Sequence, residues 1–169
     1  LLALFFMVLS NFISIFTTDA PFVPVPKKTE DSIISSLDLT PNSILYDLGC
    51  GDARILLKAV QKYPEIKVIG VDMGFLPYLL AKFRSRNYKN IKIVREDIFK
   101  TNISDATHIF LYLYPKVVNK LINNIKEQCK PGTRIVSCDF EINSLIPIKI
   151  LELNELKTSR GKKLFVYEI

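Results

Sequence analysis

Short apolar runs alternate with amphipathic segments along most of the chain. The runs are rich in β-branched and aromatic residues, which predicts buried strands over residues 44–48, 66–71, 91–94, 107–113 and 133–137. Two further segments alternate apolar and polar positions around a turn at Ser159-Arg160-Gly161, which predicts a closing hairpin over residues 148–156 and 163–169.

Between the strand-like runs, apolar residues recur at helical spacing. The spacing predicts helices over residues 53–63 and 75–87 and a third that begins at Pro115, where Val118, Ile122 and Ile125 share a face. Acidic residues at Thr29-Glu30-Asp31 predict an earlier helix start. Strand and helix alternate five times, so we predict an α/β fold. Its sheet is mostly parallel, with an antiparallel hairpin at one edge and helices on both faces.

The first 18 residues carry no charge, and 13 of the first 16 are apolar. As a helix they would span roughly 27 Å, close to the roughly 30 Å of a bilayer core. We therefore predict a transmembrane anchor over residues 1–18, truncated because the sequence opens on Leu1 rather than Met. Lys27 and Lys28 are the first basic residues after it and favour a domain on the cytoplasmic side. A secretory signal peptide and a buried or partner-binding helix are the alternatives.

The remaining chain has the composition of a basic globular domain. The whole sequence is 49% hydrophobic and 24% charged with a net charge of +6, which excludes a disordered chain. Pro21, Pro24 and Pro26 predict an extended arm over residues 19–28, before a domain over residues 29–169. Three cysteines and one histidine without a Cys-x-x-Cys pair predict neither a disulfide framework nor a metal site.

Acids and glycines follow the first three predicted strands, where an open parallel sheet binds its ligands. Asp47, Gly49 and Gly51 surround the end of the first strand, and Asp72 and Asp97 end the second and third. Glycines let the backbone approach a ligand closely, and a strand-end carboxylate suits ribose hydroxyls or an exocyclic amine. Since Gly-x-Gly-x-x-Gly is incomplete and three acids would repel phosphates, we predict a site for a cationic nucleoside without a pyrophosphate.

These residues resemble the class I S-adenosylmethionine-dependent methyltransferases, a Rossmann-like family with a seven-stranded sheet. The stretch from Tyr46 to Asp52 is similar to their first motif, although Ala53 replaces the third glycine. The resemblance implies S-adenosylmethionine as the cofactor. It implies a cofactor site at Asp47, Gly49, Cys50, Gly51, Asp72, Met73, Asp97 and Ile98. Cys50 is interpreted as a small filler of the glycine loop.

A narrower resemblance covers residues 21–169. The proline-rich arm, the segment 105–113 and the stretches 130–137 and 138–141 are similar to a group of protein-lysine methyltransferases. That group includes broad-specificity archaeal enzymes and the mitochondrial enzyme that modifies the ATP synthase c subunit. Two departures are Val25, where the group tends to have Thr, and Cys138, where it tends to have His. The resemblance implies a membrane-anchored enzyme that methylates lysine side chains of a protein, with the substrate possibly membrane-associated.

Candidate catalytic residues follow from the chemistry of that reaction. Lysine has an unperturbed pKa near 10.4, and burial against aromatic walls lowers it. We therefore predict that Phe22, Tyr112 and Tyr114 line the substrate site and that Asp139 positions the ammonium group. The basic charge favours an RNA methyltransferase as one alternative, but no Asn-Pro-Pro-Tyr motif follows the fourth strand, so nucleic acid is not the favoured partner. A small-molecule methyltransferase and a non-catalytic cofactor-binding adaptor at the membrane are the others.

Overall fold

The computed structural model describes residues 23–153 and 160–169, and within them seven strands form one sheet. The strands are β1 (Ile44–Leu48), β2 (Lys67–Val71), β3 (Ile91–Val94), β4 (His108–Leu111), β5 (Arg134–Cys138), β6 (Lys149–Glu152) and β7 (Lys163–Glu168). Their order across the sheet is β3-β2-β1-β4-β5-β7-β6. The first five are parallel, and β7 lies antiparallel between β5 and β6. The predicted fold class is confirmed.

The helices occupy the connections between the parallel strands. They are α1 (Glu30–Leu37), α2 (Arg54–Lys62), α3 (Phe75–Ser85) and α4 (Pro115–Gln128), with a 3-10 turn over Lys27–Thr29 before α1. Pro115 begins α4, where its missing N–H costs nothing. The predicted strand 107–113 ends at Leu111, because the chain leaves the sheet there to form a wall of the cavity described below.

Two apolar layers enclose the sheet because successive strand residues point to opposite faces. Leu45 and Val136 pack with α1 and α2 on one face, while Leu48 and Ile135 pack with α4 on the other. Leu121 of α4 is completely buried in the second layer. The two layers cover both faces of the sheet, and because β1 to β5 run parallel, all five end at the same edge.

The prediction of a transmembrane helix, and with it a membrane-anchored localisation on the cytoplasmic side, is wrong for the described part of the chain. No helix within residues 23–153 and 160–169 is both long and apolar enough to cross a bilayer. The longest of them, α4, has 14 residues, whereas about 20 are needed. The residues that carried the prediction, 1–18, lie outside the described residues. The proposed arm over 19–28 and domain over 29–169 stay predictions.

Candidate active site

A cavity of about 410 Å³ opens at the carboxyl ends of the parallel strands. The three strand-end acids and the glycine loop line one end of it, and the other end is lined by Tyr112, Tyr114, Asp139 and Phe140. Val23, Pro24 and Val25 of the arm form a further wall. The structure therefore brings together all the described residues of the predicted site. Phe22, also predicted there, lies outside the described residues.

The loop after β1 places main chain rather than side chains against the cavity. The amides of Gly49 and Cys50 donate to the carbonyl oxygen of Val71 at 2.8 and 3.0 Å, which fixes the loop to the end of β2. Gly49 has a φ of 86°, and a Cβ there would lie 2.8 Å from a methyl carbon of Leu113. Ala53, the departure from the glycine motif, is fully buried with a φ of 61°, so the loop keeps the backbone shape that glycine favours.

Asp72 is held by two backbone amides. One carboxylate oxygen accepts from the N–H of Gly51 at 2.9 Å and the other from the N–H of Gly74 at 2.8 Å. Burial raises the pKa of this carboxyl, and the two amide donors oppose that rise. Each oxygen keeps a further acceptor position, so the side chain is oriented and still able to accept hydrogen bonds from a diol.

Asp47 is the most deeply buried acid of the cavity, with 3% of its surface exposed. Burial raises its pKa well above the usual range, and the negative charges of Asp72 and Asp52 raise it further. A cationic ligand beside Asp47 would reverse this effect, because an opposite charge favours the carboxylate. The electrostatics of this end of the cavity therefore select for positive charge.

Asp97 lines the same end of the cavity as Asp47 and Asp72. One carboxylate oxygen accepts from the amide of Phe99 at 3.0 Å, which orders the turn that carries Ile98. Met73 also lines the cavity beside the end of β2. Acids thus stand at the ends of three adjacent strands, and apolar side chains lie between them.

Three aromatic rings form the opposite end of the cavity. Phe140 stacks on Tyr112 with ring centroids 6.4 Å apart and meets Tyr114 at 5.9 Å with a tilt of 45°. Burial and the nearby negative charge of Asp139 raise the pKa of Tyr112 to about 12. Tyr112 is therefore a neutral phenol at physiological pH and cannot serve as a phenolate base.

Asp139 lies beside these rings, but its carboxylate is engaged by the main chain. It accepts from the amides of Gly161, Lys162 and Lys163 at 2.6, 2.8 and 3.3 Å. The residue therefore ties the end of β5 to the start of β7. This geometry favours Asp139 as a support for the aromatic end over a direct ligand for an ammonium group.

An ion cluster around the buried carboxylate of Asp52, at the wall of the cavity, was missed by the sequence reasoning. Asp52 pairs with Arg54 at 2.8 Å and also with Arg84 of α3. Burial raises the pKa of Asp52, but hydrogen bonds and charge from Arg54 and the charge of Arg84 hold it below the usual range. Arg54 also donates to the carbonyl oxygen of Val25 at 2.9 Å, so the cluster fixes the arm against the cavity.

The cysteines Cys50 and Cys138 and the histidine His108 have structural rather than catalytic surroundings. Cys50 and Cys138 are buried, and burial raises the pKa of both thiols. His108 contacts Thr107 through Nδ1, and burial lowers its pKa. No group of side chains within residues 23–153 and 160–169 could hold a metal ion.

The sequence reasoning also missed Phe140 as a residue of the site, although its place just after β5 marks it as a strand-end aromatic.

A family model and the similar proteins of known name agree on one family of methyltransferases. Residues 47–149 match the family model described as the ANTKMT methyltransferase domain. The chain is 30% identical to a protein-lysine N-methyltransferase of Saccharolobus islandicus over 86% of this chain and 92% of the relative. It is 23% identical to the human lysine N-methyltransferase of the ATP synthase c subunit over 71% of this chain, but spans only 52% of that protein.

Among solved structures, the chain is similar to an RNA methyltransferase from Salinibacter ruber in complex with S-adenosyl-L-homocysteine. The TM-score is 0.80 and the identity 29%, covering 87% of this chain and 94% of the other. A second similar structure, from Geobacter sulfurreducens, also contains S-adenosyl-L-homocysteine, with a TM-score of 0.60 and 20% identity over 69% of this chain and 49% of that one. The second likeness supports the fold.

Proposed function

The chain belongs to the ANTKMT methyltransferase domain family of class I methyltransferases, and from this we propose that it methylates lysine side chains of a protein. The protein is an S-adenosylmethionine-dependent methyltransferase. The observation that carries lysine as the substrate is the aromatic end of the cavity, formed by Tyr112, Tyr114 and Phe140. Protein-lysine methyltransferases among the relatives support it.

The acidic end suits the cofactor by its chemistry. We propose that Asp72 accepts from the ribose hydroxyls, that Asp47 faces the positively charged amino acid portion, and that Asp97 and Ile98 contact the adenine. The main chain of Gly49, Cys50 and Gly51 lies against the cofactor, and Met73 covers the sugar side. The carboxylates fit these roles because backbone amides orient Asp72 and Asp97. Asp47 is buried near other acids, where a positively charged group is favourable.

The aromatic end suits a lysine side chain. Faces of aromatic rings attract ammonium groups, including methylated ones, while they exclude water. Desolvation lowers the pKa of the amine, so the neutral form that can accept a methyl group becomes accessible and its proton leaves to solvent. Bound S-adenosylmethionine supplies a methyl group whose bond to sulfur breaks, with the electron pair going to sulfur, as the bond to nitrogen forms. The rings keep the nitrogen and the cofactor end of the cavity in line.

Asp139 contributes to this reaction by supporting the rings. Its three backbone partners hold residues 161–163 at the end of β5, so the aromatic end is formed before the substrate arrives. Tyr112 remains protonated because its pKa is raised to about 12 by burial and the charge of Asp139. We therefore propose that none of the described side chains of the cavity acts as a strong base and that the site works by alignment and desolvation.

The experiment is a methylation assay with radiolabelled S-adenosylmethionine on a lysine-containing peptide mixture and on total RNA. We expect label in methyl-lysine after acid hydrolysis, with activity strongly reduced by Tyr112→Ala. Asp31→Asn, an exposed acid paired with Lys58, is the control and should keep full activity. Label confined to RNA would overturn the proposal in favour of the activity that the Salinibacter ruber protein is named for.

A further inference from the structure

The outer face of α3 carries large apolar side chains that stay about half exposed. Phe75, Leu79 and Phe83 follow one another at four-residue spacing, and Leu80 lies beside them. Between 44% and 64% of each of these side chains is exposed. Only Ala81 and Ser85 of this helix are buried. An exposed apolar stripe of this kind marks an interaction site more often than a plain surface. We call these four residues the α3 stripe.

Basic side chains surround the α3 stripe. Between residues 73 and 96 all six cations are exposed, against one acid, Glu96. They are Lys82, Arg84, Arg86, Lys89, Lys92 and Arg95. Arg84 pairs with Asp52, whereas no ion pair is formed by the other five within the described chain. This surface therefore attracts an anionic partner that also carries apolar side chains.

Two guanidinium groups are already fixed on the stripe. Arg86 lies 4.1 Å from the ring centroid of Phe83 and donates to its carbonyl oxygen at 2.8 Å. Arg95 lies 5.3 Å from the ring of Phe75 and donates to the carbonyl oxygen of Met73 at 3.2 Å. Planar guanidinium groups held in place suit paired hydrogen bonds to carboxylates. Because they cover the faces of the two aromatic rings, the surface favours an acidic polypeptide over insertion among lipid chains.

We propose that the α3 stripe and its basic rim dock an acidic segment of the protein substrate, with apolar side chains interspersed among its acids. The inference rests on the proposed function, since the docked segment belongs to the protein whose lysine is methylated. The surface is continuous with the site because Met73, Gly74 and Pro77, at the start of α3, also line the cavity. The α3 helix follows β2, and Tyr112 follows β4. Only β1 lies between these two strands in the sheet, so their carboxyl ends are roughly 10 Å apart, a span of about three extended residues.

The test measures binding of a fluorescent synthetic peptide of glutamate, leucine and phenylalanine, without lysine, to the full chain. We expect binding that weakens with salt and falls by about tenfold in Arg86→Glu and in Phe83→Ser, a change of about 1.4 kcal/mol. Lys130→Glu makes the same charge change on an exposed turn, and Ile146→Ser removes an exposed apolar side chain elsewhere, so both should bind as the unchanged protein does.

Methylation of a short lysine peptide without acids is measured in parallel, and the α3 variants should leave it unchanged. Absence of peptide binding overturns the docking surface even if lysine methylation persists, whereas binding without lysine methylation points to failure of the proposed function instead. Equal binding of a polyglutamate peptide without apolar residues also overturns it. Competition with other ligands can overturn the proposal as well. It fails if vesicles of phosphatidylcholine and phosphatidylglycerol, or polyuridylic acid, displace the fluorescent peptide at a lower concentration than unlabelled peptide does.

Discussion

A single methyl group added at Gly161 should damage the site, although the residue lies outside the cofactor loop. Its φ is 69°, and a Cβ there would lie 2.5 Å from Oγ1 of Thr29 and 2.9 Å from the ring of Pro26. Thr29 is completely buried and donates to the carbonyl oxygen of Gly161 at 3.0 Å, so it cannot move aside freely. The amide of the same glycine donates to Asp139. This residue thus joins the arm to the support of the aromatic end.

The expected cost of Gly161→Ala has three parts. A non-glycine residue in left-handed conformation costs about 1 kcal/mol, and loss of the buried Thr29 hydrogen bond costs about another 1 kcal/mol. Steric displacement of the arm adds to this, so we expect a loss of about 2 to 3 kcal/mol. For a chain of this size that lowers Tm by roughly 6 °C. Cofactor affinity should fall as well, because the arm residues Val23 to Val25 line the cavity.

Gly132→Ala provides the matched control. Gly132 has a φ of 87°, but a Cβ there would have nothing within 4 Å. The control therefore carries the backbone cost of about 1 kcal/mol alone and should leave S-adenosylmethionine affinity unchanged. Thermal melts and calorimetric titration of both variants make the comparison. Equal Tm values for the two variants, or normal cofactor affinity in Gly161→Ala, would refute the role assigned to the contact between arm and hairpin.

The other predictions concern the cavity and the core. Asp72→Asn should weaken S-adenosylmethionine binding by about a hundredfold, since a charge-assisted hydrogen bond to the ribose is lost; titration calorimetry giving a normal Kd would contradict this. Burial, with Asp72 and Asp52, raises the pKa of Asp47, so cofactor affinity should rise with pH through that titration. Asp47→Asn should abolish this rise of affinity with pH. The same pH profile in Asp47→Asn as in the unchanged protein would contradict the role given to Asp47. Leu121→Ala should cost about 3 kcal/mol in denaturant unfolding without a change in Kd, because Leu121 is buried away from the cavity.

The pattern of the sequence was sufficient for the sheet and for the acidic end of the cavity. The carboxyl ends of parallel strands lie at one edge of the sheet, so acids at or shortly after the ends of β1, β2 and β3 are expected to lie close together. The aromatic end was predicted less completely. Tyr112 and Tyr114 follow β4 directly, whereas Phe140 joins them only because β5 lies next to β4, and that adjacency is a property of the sheet order.

Long-range contacts explain what the sequence could not show. Arg54 has no pattern around it that marks it for a role, yet it joins Asp52 to the arm, 29 positions earlier in the chain. Asp139 was assigned to the ammonium group, but its partners lie 22 to 24 residues later. Such contacts have no local periodicity, and a residue's type alone does not reveal which backbone amides will reach it.

The negative charges are placed differently at the two ends of the cavity. Asp47 is buried with other acids nearby, so a positive cofactor relieves unfavourable charge when it binds. At the aromatic end the acid of Asp139 already accepts from three amides and has less to gain from a substrate ammonium. In the lysine methylation that we propose, a free carboxylate there would hold the substrate amine in its charged form, which cannot accept a methyl group. Rings that attract the amine weakly, beside an acid whose acceptor positions the backbone occupies, would favour both loss of the proton and departure of the methylated product.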